Sequence, residues 1–137
     1  MDDFKFIWYK SIEIGVPNID DQHKELFRIG RHIHQVLLRD FIGIDTDQLL
    51  DIISEFQNYI TYNFYEEESL MQEISYPNFL SHKDSHSSFI KEINSIDYNN
   101  LHVSLKSLEK LLKKWAVEHL LVDDYAIKKF IIVHTIL

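Results

Sequence analysis

Cysteine is absent from the 137 residues, which excludes disulfides and thiolate metal ligands and fits a cytoplasmic protein. Glycine occurs three times and proline twice, so tight β-turns are scarce and long uninterrupted helices are easy. No stretch approaches the roughly eighteen consecutive apolar residues that a membrane span needs. The opening segment, MDDFKFIWYK, carries acids where a secretory leader carries bases, and no small-residue cleavage site follows. Basic residues are outnumbered, 14 against 22 acidic ones, and the net charge of −8 disfavours nucleic acid and anionic membranes as partners.

What is present is a chain of 45% hydrophobic residues, enough for one buried core and one domain over residues 1–137. It also holds eight histidines, more than a bland core requires. Residues 1–18 are aromatic-rich and aperiodic and read as an arm packed on the outside. From Ile19, apolar positions recur at helical spacing through His23, Leu26, Phe27, Gly30, Ile33 and Leu37, with Asn18 or Asp20 as the cap and Gly43 as the break. Asp45, followed three residues later by Gln48, reads as a capping box for a long second helix. Its stripe runs Leu49, Ile52, Phe56, Ile60, Asn63, Glu67, Leu70 and Ile74. Tyr76-Pro77-Asn78 stops it.

A third helix carries Phe79, His82, His86, Phe89, Ile90 and Ile93, and a polar turn over 94–100 follows. A fourth carries Leu101, Leu105, Leu108, Leu112, Trp115 and His119. The apolar tail 123–137 reads as a short last helix covering one end. Short connections between long amphipathic helices predict an all-α, up-down-up-down four-helix bundle over residues 19–122, flanked by the arm and the tail.

The polar residues on the inward stripes carry the chemistry. His23, Glu67, His82, His86 and His119 fall on apolar faces of four different helices. Buried imidazoles and carboxylates without partners are strongly unfavourable, so this many together call for something that joins them. A metal centre does so, and bundle cores build such sites from facing helices. His82 and His86, four apart, lie on one face one turn apart and can clasp one ion. Singly, each residue has a plainer explanation: a surface histidine pair, a solvated acid beside Glu66 and Glu68, a core histidine. Nitrogen and oxygen donors without sulfur suit iron, manganese or zinc, and the histidine-rich supply favours iron over magnesium or calcium.

These pieces fall in an order that resembles the bacterial hemerythrins over nearly the whole chain. They are Trp8, Gly15-Val16-Pro17-Asn18-Ile19-Asp20-Asp21-Gln22-His23, Asn63-Phe64-Tyr65-Glu66-Glu67-Glu68-Ser69-Leu70-Met71, Tyr76-Pro77, His82-Lys83-Asp84-Ser85-His86 and Trp115-Ala116-Val117-Glu118-His119, with Asp124 five residues beyond. The resemblance implies two iron ions joined by an oxo or hydroxo bridge and by the carboxylates of Glu67 and Asp124. It implies that His82, His86 and His119 hold one iron, and that His23 belongs to the other, which keeps a position open for dioxygen. The function implied is reversible oxygen binding, as carrier, store or sensor, rather than enzyme catalysis. Helix geometry alone favours Asp123 as the partner of His119, because residues five apart diverge around an α-helix; a local break at the helix end would reconcile the two.

Two positions depart from the pattern. Asn63 stands where the family has a histidine, and an amide oxygen is a weaker, neutral ligand. Water, Tyr59, Tyr62 and Glu66 are the candidate substitutes. Ala116 stands where a bulky aliphatic residue is usual, which should loosen the wall of the oxygen pocket. Both changes point to an alternative: a di-iron redox protein acting on peroxide, nitric oxide or ferrous iron, or a variant with one weakened iron site. His32, His102 and His134 read as surface or packing residues; His34 lies nearer the inward face but too far from His23 to share an ion. Glu66, Glu68 and Glu73 read as a solvated helix face. Asp20 reads as a helix cap that can also support His23.

Overall fold

The computed structural model describes residues 4–39 and 43–136, with side chains through His134. The arm's first three residues and the tail's last one lie outside the described residues. Helix α1 spans Pro17–Leu38, α2 Thr46–Glu73, α3 Phe79–Asn94 and α4 Leu101–Trp115. A π-helical stretch, Ala116–Asp124, continues α4 directly into α5, Tyr125–Ile136. Around the bundle α1 packs on α2 and α4, and α3 packs on the same two helices. The architecture is the expected all-α bundle with a C-terminal helical segment. No strand occurs among the described residues.

Local signals explain most boundaries. Pro17 opens α1 at its first position, where a missing N–H costs nothing, so the helix starts two residues before Ile19 and neither Asn18 nor Asp20 caps it. The Asp20 carboxylate instead accepts the backbone N–H groups of Ile14 (2.8 Å) and Gly15 (3.1 Å), tying the arm to α1. The capping box at α2 forms as expected: Asp45 accepts from the Asp47 N–H at 3.0 Å, and Gln48 accepts from the Asp45 N–H at 3.3 Å. Asn100 caps α4 by accepting from the Val103 N–H at 3.0 Å.

The arm lies over the bundle with most of its residues exposed or half-buried and two of them sunk into the core. Phe6 and Ile14 are buried, and Phe6 lies over Gly30 so closely that a Cβ there would stand 2.5 Å from its ring. Glycine at position 30 is what lets the ring descend onto α1. Phe4, Phe6 and Trp8 then close edge-on around Phe27.

The main core gathers the expected stripes with shifts of one position. Val36 is buried instead of Leu37, Tyr59 and Phe64 are buried beside a half-buried Ile60, and Ile90 is exposed. The fourth rod does not break near 123; it bends its register through the π stretch and runs on to Ile136. Its last part packs Ile127 and Phe130 against Met71 and Tyr76, a second small core at the α2–α3 turn.

Candidate metal centre

Three helices, α1, α2 and α3, and the π stretch each deliver one or two polar side chains into the interior. Glu67, His82, His86, His119 and Asp124 each offer one donor atom, and these atoms all lie within 4.8 Å of one another. All five are buried, with Glu67 and Asp124 at 0% exposure. His23, also at 0%, lies outside this group and meets the two carboxylates from the other side.

The carboxylates divide their oxygens. Glu67 Oε1 faces His82 Nε2 (3.1 Å), His86 Nε2 (3.2 Å) and His119 Nε2 (4.0 Å), whereas Oε2 faces His23 Nε2 at 2.8 Å. Asp124 Oδ1 faces His82 Nε2 (2.9 Å) and His119 Nε2 (3.1 Å), whereas Oδ2 faces His23 Nε2 at 3.2 Å. Each acid therefore spans two half-sites, one with three imidazoles and one with His23.

Asp124 reaches the site because the chain from Ala116 to Asp124 is π-helical. Its i→i+5 bonding brings residues five apart onto one face, and such insertions are frequent at functional sites. The expected break at the helix end is thus replaced by a wider turn. Asp123 takes the other face of the same imidazole, its Oδ2 standing 3.3 Å from His119 Nδ1. Glu68 does the same for His86, with Oε2 at 2.9 Å from Nδ1. The Glu68 hydrogen bond fixes which nitrogen of His86 points inward, whereas Asp123 and His119 Nδ1 are close without a hydrogen bond. Glu68 is therefore half-buried and paired rather than merely a solvated face; its i+1 position after an inward glutamate disguised it in the sequence.

Aromatic rings close the sides. Phe64 stacks on His86 at 3.9 Å and Trp115 on His119 at 3.8 Å, with Phe89 on the outer face of Trp115 at 4.0 Å. Trp115 Nε1 donates to the buried Tyr59 hydroxyl at 3.3 Å. Ala116, expected to loosen a pocket wall, is fully covered within the main core.

The electrostatics are those of a site with acids and imidazoles packed out of water. Burial pulls the His23 imidazole down, but Asp124 and Glu67 outweigh it and raise its pKa to about 9. His82 rises to about 9 by the same balance, and His119, against both Asp124 and Asp123, to about 11. Burial pushes Glu67 up, yet four imidazoles, His119 foremost, hold it well below the usual carboxylate range. Burial, followed by the Glu67 and Asp124 charges, drives the Tyr59 hydroxyl upward.

Whether these residues fit a metal is decided by atoms that protons do not satisfy. His119 Nε2 and both Asp124 oxygens are buried without a hydrogen-bond partner, although Nε2 and Oδ1 are within 3.1 Å. They are close but not aligned on each other. An unsatisfied buried polar atom costs about 1–3 kcal/mol, and a common cation answers all three at once. The donor chemistry, imidazole nitrogen with carboxylate oxygen, suits iron.

Asn63 is fully buried one turn before Glu67; its Nδ2 donates to Gln22 Oε1 at 3.0 Å and its Oδ1 has no partner. Gln22 escaped the sequence reading because it sits beside His23 and off the apolar stripe. Among the candidate substitutes for the missing histidine, Tyr62 is exposed, Glu66 is half-buried and Tyr59 turns to Trp115. His34 does not face inward: it is exposed and pairs with Glu109 at 3.0 Å. His134 is exposed and bonds the Phe130 carbonyl, while His32 and His102 are half-buried away from the cluster.

A helical bundle with a buried cluster of histidines and carboxylates fits the class of non-haem iron proteins. The chain is 33% identical over 124 residues to the bacteriohemerythrin of Clostridium acetobutylicum, covering 87% of this chain and 95% of that one. Bacteriohemerythrins of Stenotrophomonas maltophilia (28% over 125 residues, 88% and 77%) and Campylobacter jejuni (27% over 124 residues, 88% and 91%) are also similar. No family model and no solved structure matches it. The chain belongs to the bacteriohemerythrin family. Among the described residues no helix is long and apolar enough to cross a membrane.

Proposed function

We propose that this chain binds dioxygen reversibly at a pair of iron ions. His82, His86 and His119 would hold one ion, His23 the other, and Glu67 and Asp124 would span them. The observation that carries this reading is the division of the carboxylate oxygens: Glu67 Oε1 faces three imidazoles and Asp124 Oδ1 two of the same three, while the other oxygen of each acid faces His23. When bound, the iron pair supplies the electrons that dioxygen takes up and returns on release.

The rest falls to the chain's own side chains. Glu68 hydrogen-bonds Nδ1 of His86 and so aims its Nε2 inward, and Asp123 places a carboxylate 3.3 Å from Nδ1 of His119. Phe64 and Trp115 stack over those imidazoles, with Phe89 behind Trp115, and keep water away, which guards a reduced centre against irreversible oxidation. With one histidine in place of two, the His23 side is the more open. That side is where a small gas molecule would bind.

Protein reduced without oxygen and then exposed to air should carry about two irons per chain, as bundle carboxylate sites do. It should also develop a visible absorption band that vanishes on deoxygenation. Rapid, irreversible oxidation with no such band rejects oxygen binding.

Asn63 favours a second reading, a redox protein acting on peroxide, nitric oxide or ferrous iron, because its amide replaces an imidazole on the open side. Steady peroxide consumption with an electron donor, abolished by a chelator, would select it.

A further inference from the structure

The two half-sites differ in chemistry as well as in number of histidines. The first presents three imidazole nitrogens with Glu67 Oε1 and Asp124 Oδ1. The second presents one imidazole nitrogen with Glu67 Oε2 and Asp124 Oδ2. Asn63 sits on α2, the helix that supplies Glu67, and bonds to α1, the helix that supplies His23. It lies four residues before Glu67 on α2, and its bonding partner Gln22 immediately precedes His23 on α1. Gln22 takes the amide nitrogen, so the atom left without a partner in a fully buried side chain is the carbonyl oxygen, whose lone pairs can accept a hydrogen bond or ligate a cation.

We infer that Asn63 Oδ1 is a ligand of the His23-side ion and makes that half an oxygen-rich site able to take manganese(II), while the three-imidazole half keeps iron or zinc. This rests on the two-ion reading above. The physical reason is ligand type: imidazole suits iron and zinc, whereas carboxylate and carbonyl oxygens suit manganese and magnesium. A neutral amide adds a ligand atom without adding charge. Gln22 acts as the positioning residue, fixing which end of the amide faces inward.

The test uses the full chain stripped of metal, loaded with one equivalent of zinc, and then titrated with manganese(II). Free manganese is followed by its six-line electron paramagnetic resonance signal. The wild-type chain should take up one manganese per chain. Asn63→Leu should weaken manganese binding by about tenfold or more while zinc affinity holds within about twofold, and Asn63→Asp should tighten manganese about tenfold, a range normal for changes around a metal.

Equal manganese binding in Asn63→Leu and wild type overturns the role of Asn63, as does wild-type protein that binds zinc but no manganese. If Asn63→Leu fails to fold, Asn63→Asp decides alone, and no gain in affinity there overturns the inference. Wild-type protein that binds no zinc at all sinks the metal centre itself, a result distinct from the others.

Discussion

His119 and Asp124 are five residues apart, yet Nε2 of one stands 3.1 Å from Oδ1 of the other because the helix between them is π rather than α. The same widened turn leaves Asp123 on the outer nitrogen of that imidazole. Two consecutive acids thus serve one histidine from opposite sides. An α-helix would have brought only Asp123 to its face.

Exchanging these two acids for alanine separates their roles. Asp124→Ala should abolish uptake of the second iron, since it removes an oxygen from each half-site. Asp123→Ala should leave the stoichiometry intact and lower affinity by about 10–100-fold, the usual effect of losing a partner on the far nitrogen of a ligand histidine. Iron content after desalting reads the difference. The reverse pattern would mean that the stretch is α-helical in solution.

Metal loading should be linked to pH. His23, His82 and His119 have folded pKa values of about 9, 9 and 11, above the ordinary 6.5. In metal-free protein their protons stabilise the fold fully below about pH 6.5, and that stability is lost as pH rises through about 9 and then about 11. Metal-free protein should therefore melt at lower temperature at about pH 10 than at about pH 7. A metal needs the neutral imidazoles, so uptake at neutral pH should release protons and strengthen as pH rises. Calorimetry in buffers of different ionisation heat measures the release; heats independent of buffer would contradict it.

Gly30→Ala should destabilise the fold by roughly 1–3 kcal/mol, the cost of overpacking a closed core. The added methyl meets the Phe6 ring at 2.5 Å. Combining it with Phe6→Ala should cost less than the sum of the single changes, because removing the ring removes the clash that the methyl causes. Urea unfolding of the four proteins completes the cycle. Strict additivity would place the Phe6 ring elsewhere.

Trp115→Ala should cost about 3–5 kcal/mol, as for other large buried aromatics. It should also shorten the lifetime of the reduced, oxygen-exposed protein, because the ring covers His119 on one face and meets Phe89 on the other. Trp115→Phe should keep most of the lifetime. Stopped-flow absorbance gives both rates, and an unchanged rate in the alanine variant would deny the ring a part in keeping water out.

The sequence by itself determined the helices, and it did so through period and punctuation. Apolar residues at helical spacing, the Asp45 and Gln48 box and the Tyr76-Pro77 stop are local signals that need no partner. It also named the inward polar residues, since a charge on an apolar stripe stands out against its neighbours. Which atoms meet was beyond it. The path of the arm depends on Phe6 finding Gly30, twenty-four residues away, and Glu68 turns to a histidine on another helix.

Only the tertiary structure decided the register at Asp124, the Gln22 to Asn63 bond and the division of oxygens between half-sites. Each is a contact between segments whose separation in sequence carries no signal, or a change of helical pitch that surrounding packing must stabilise. Periodicity tells which way a side chain points; the angle and depth at which two helices pack tell what it touches.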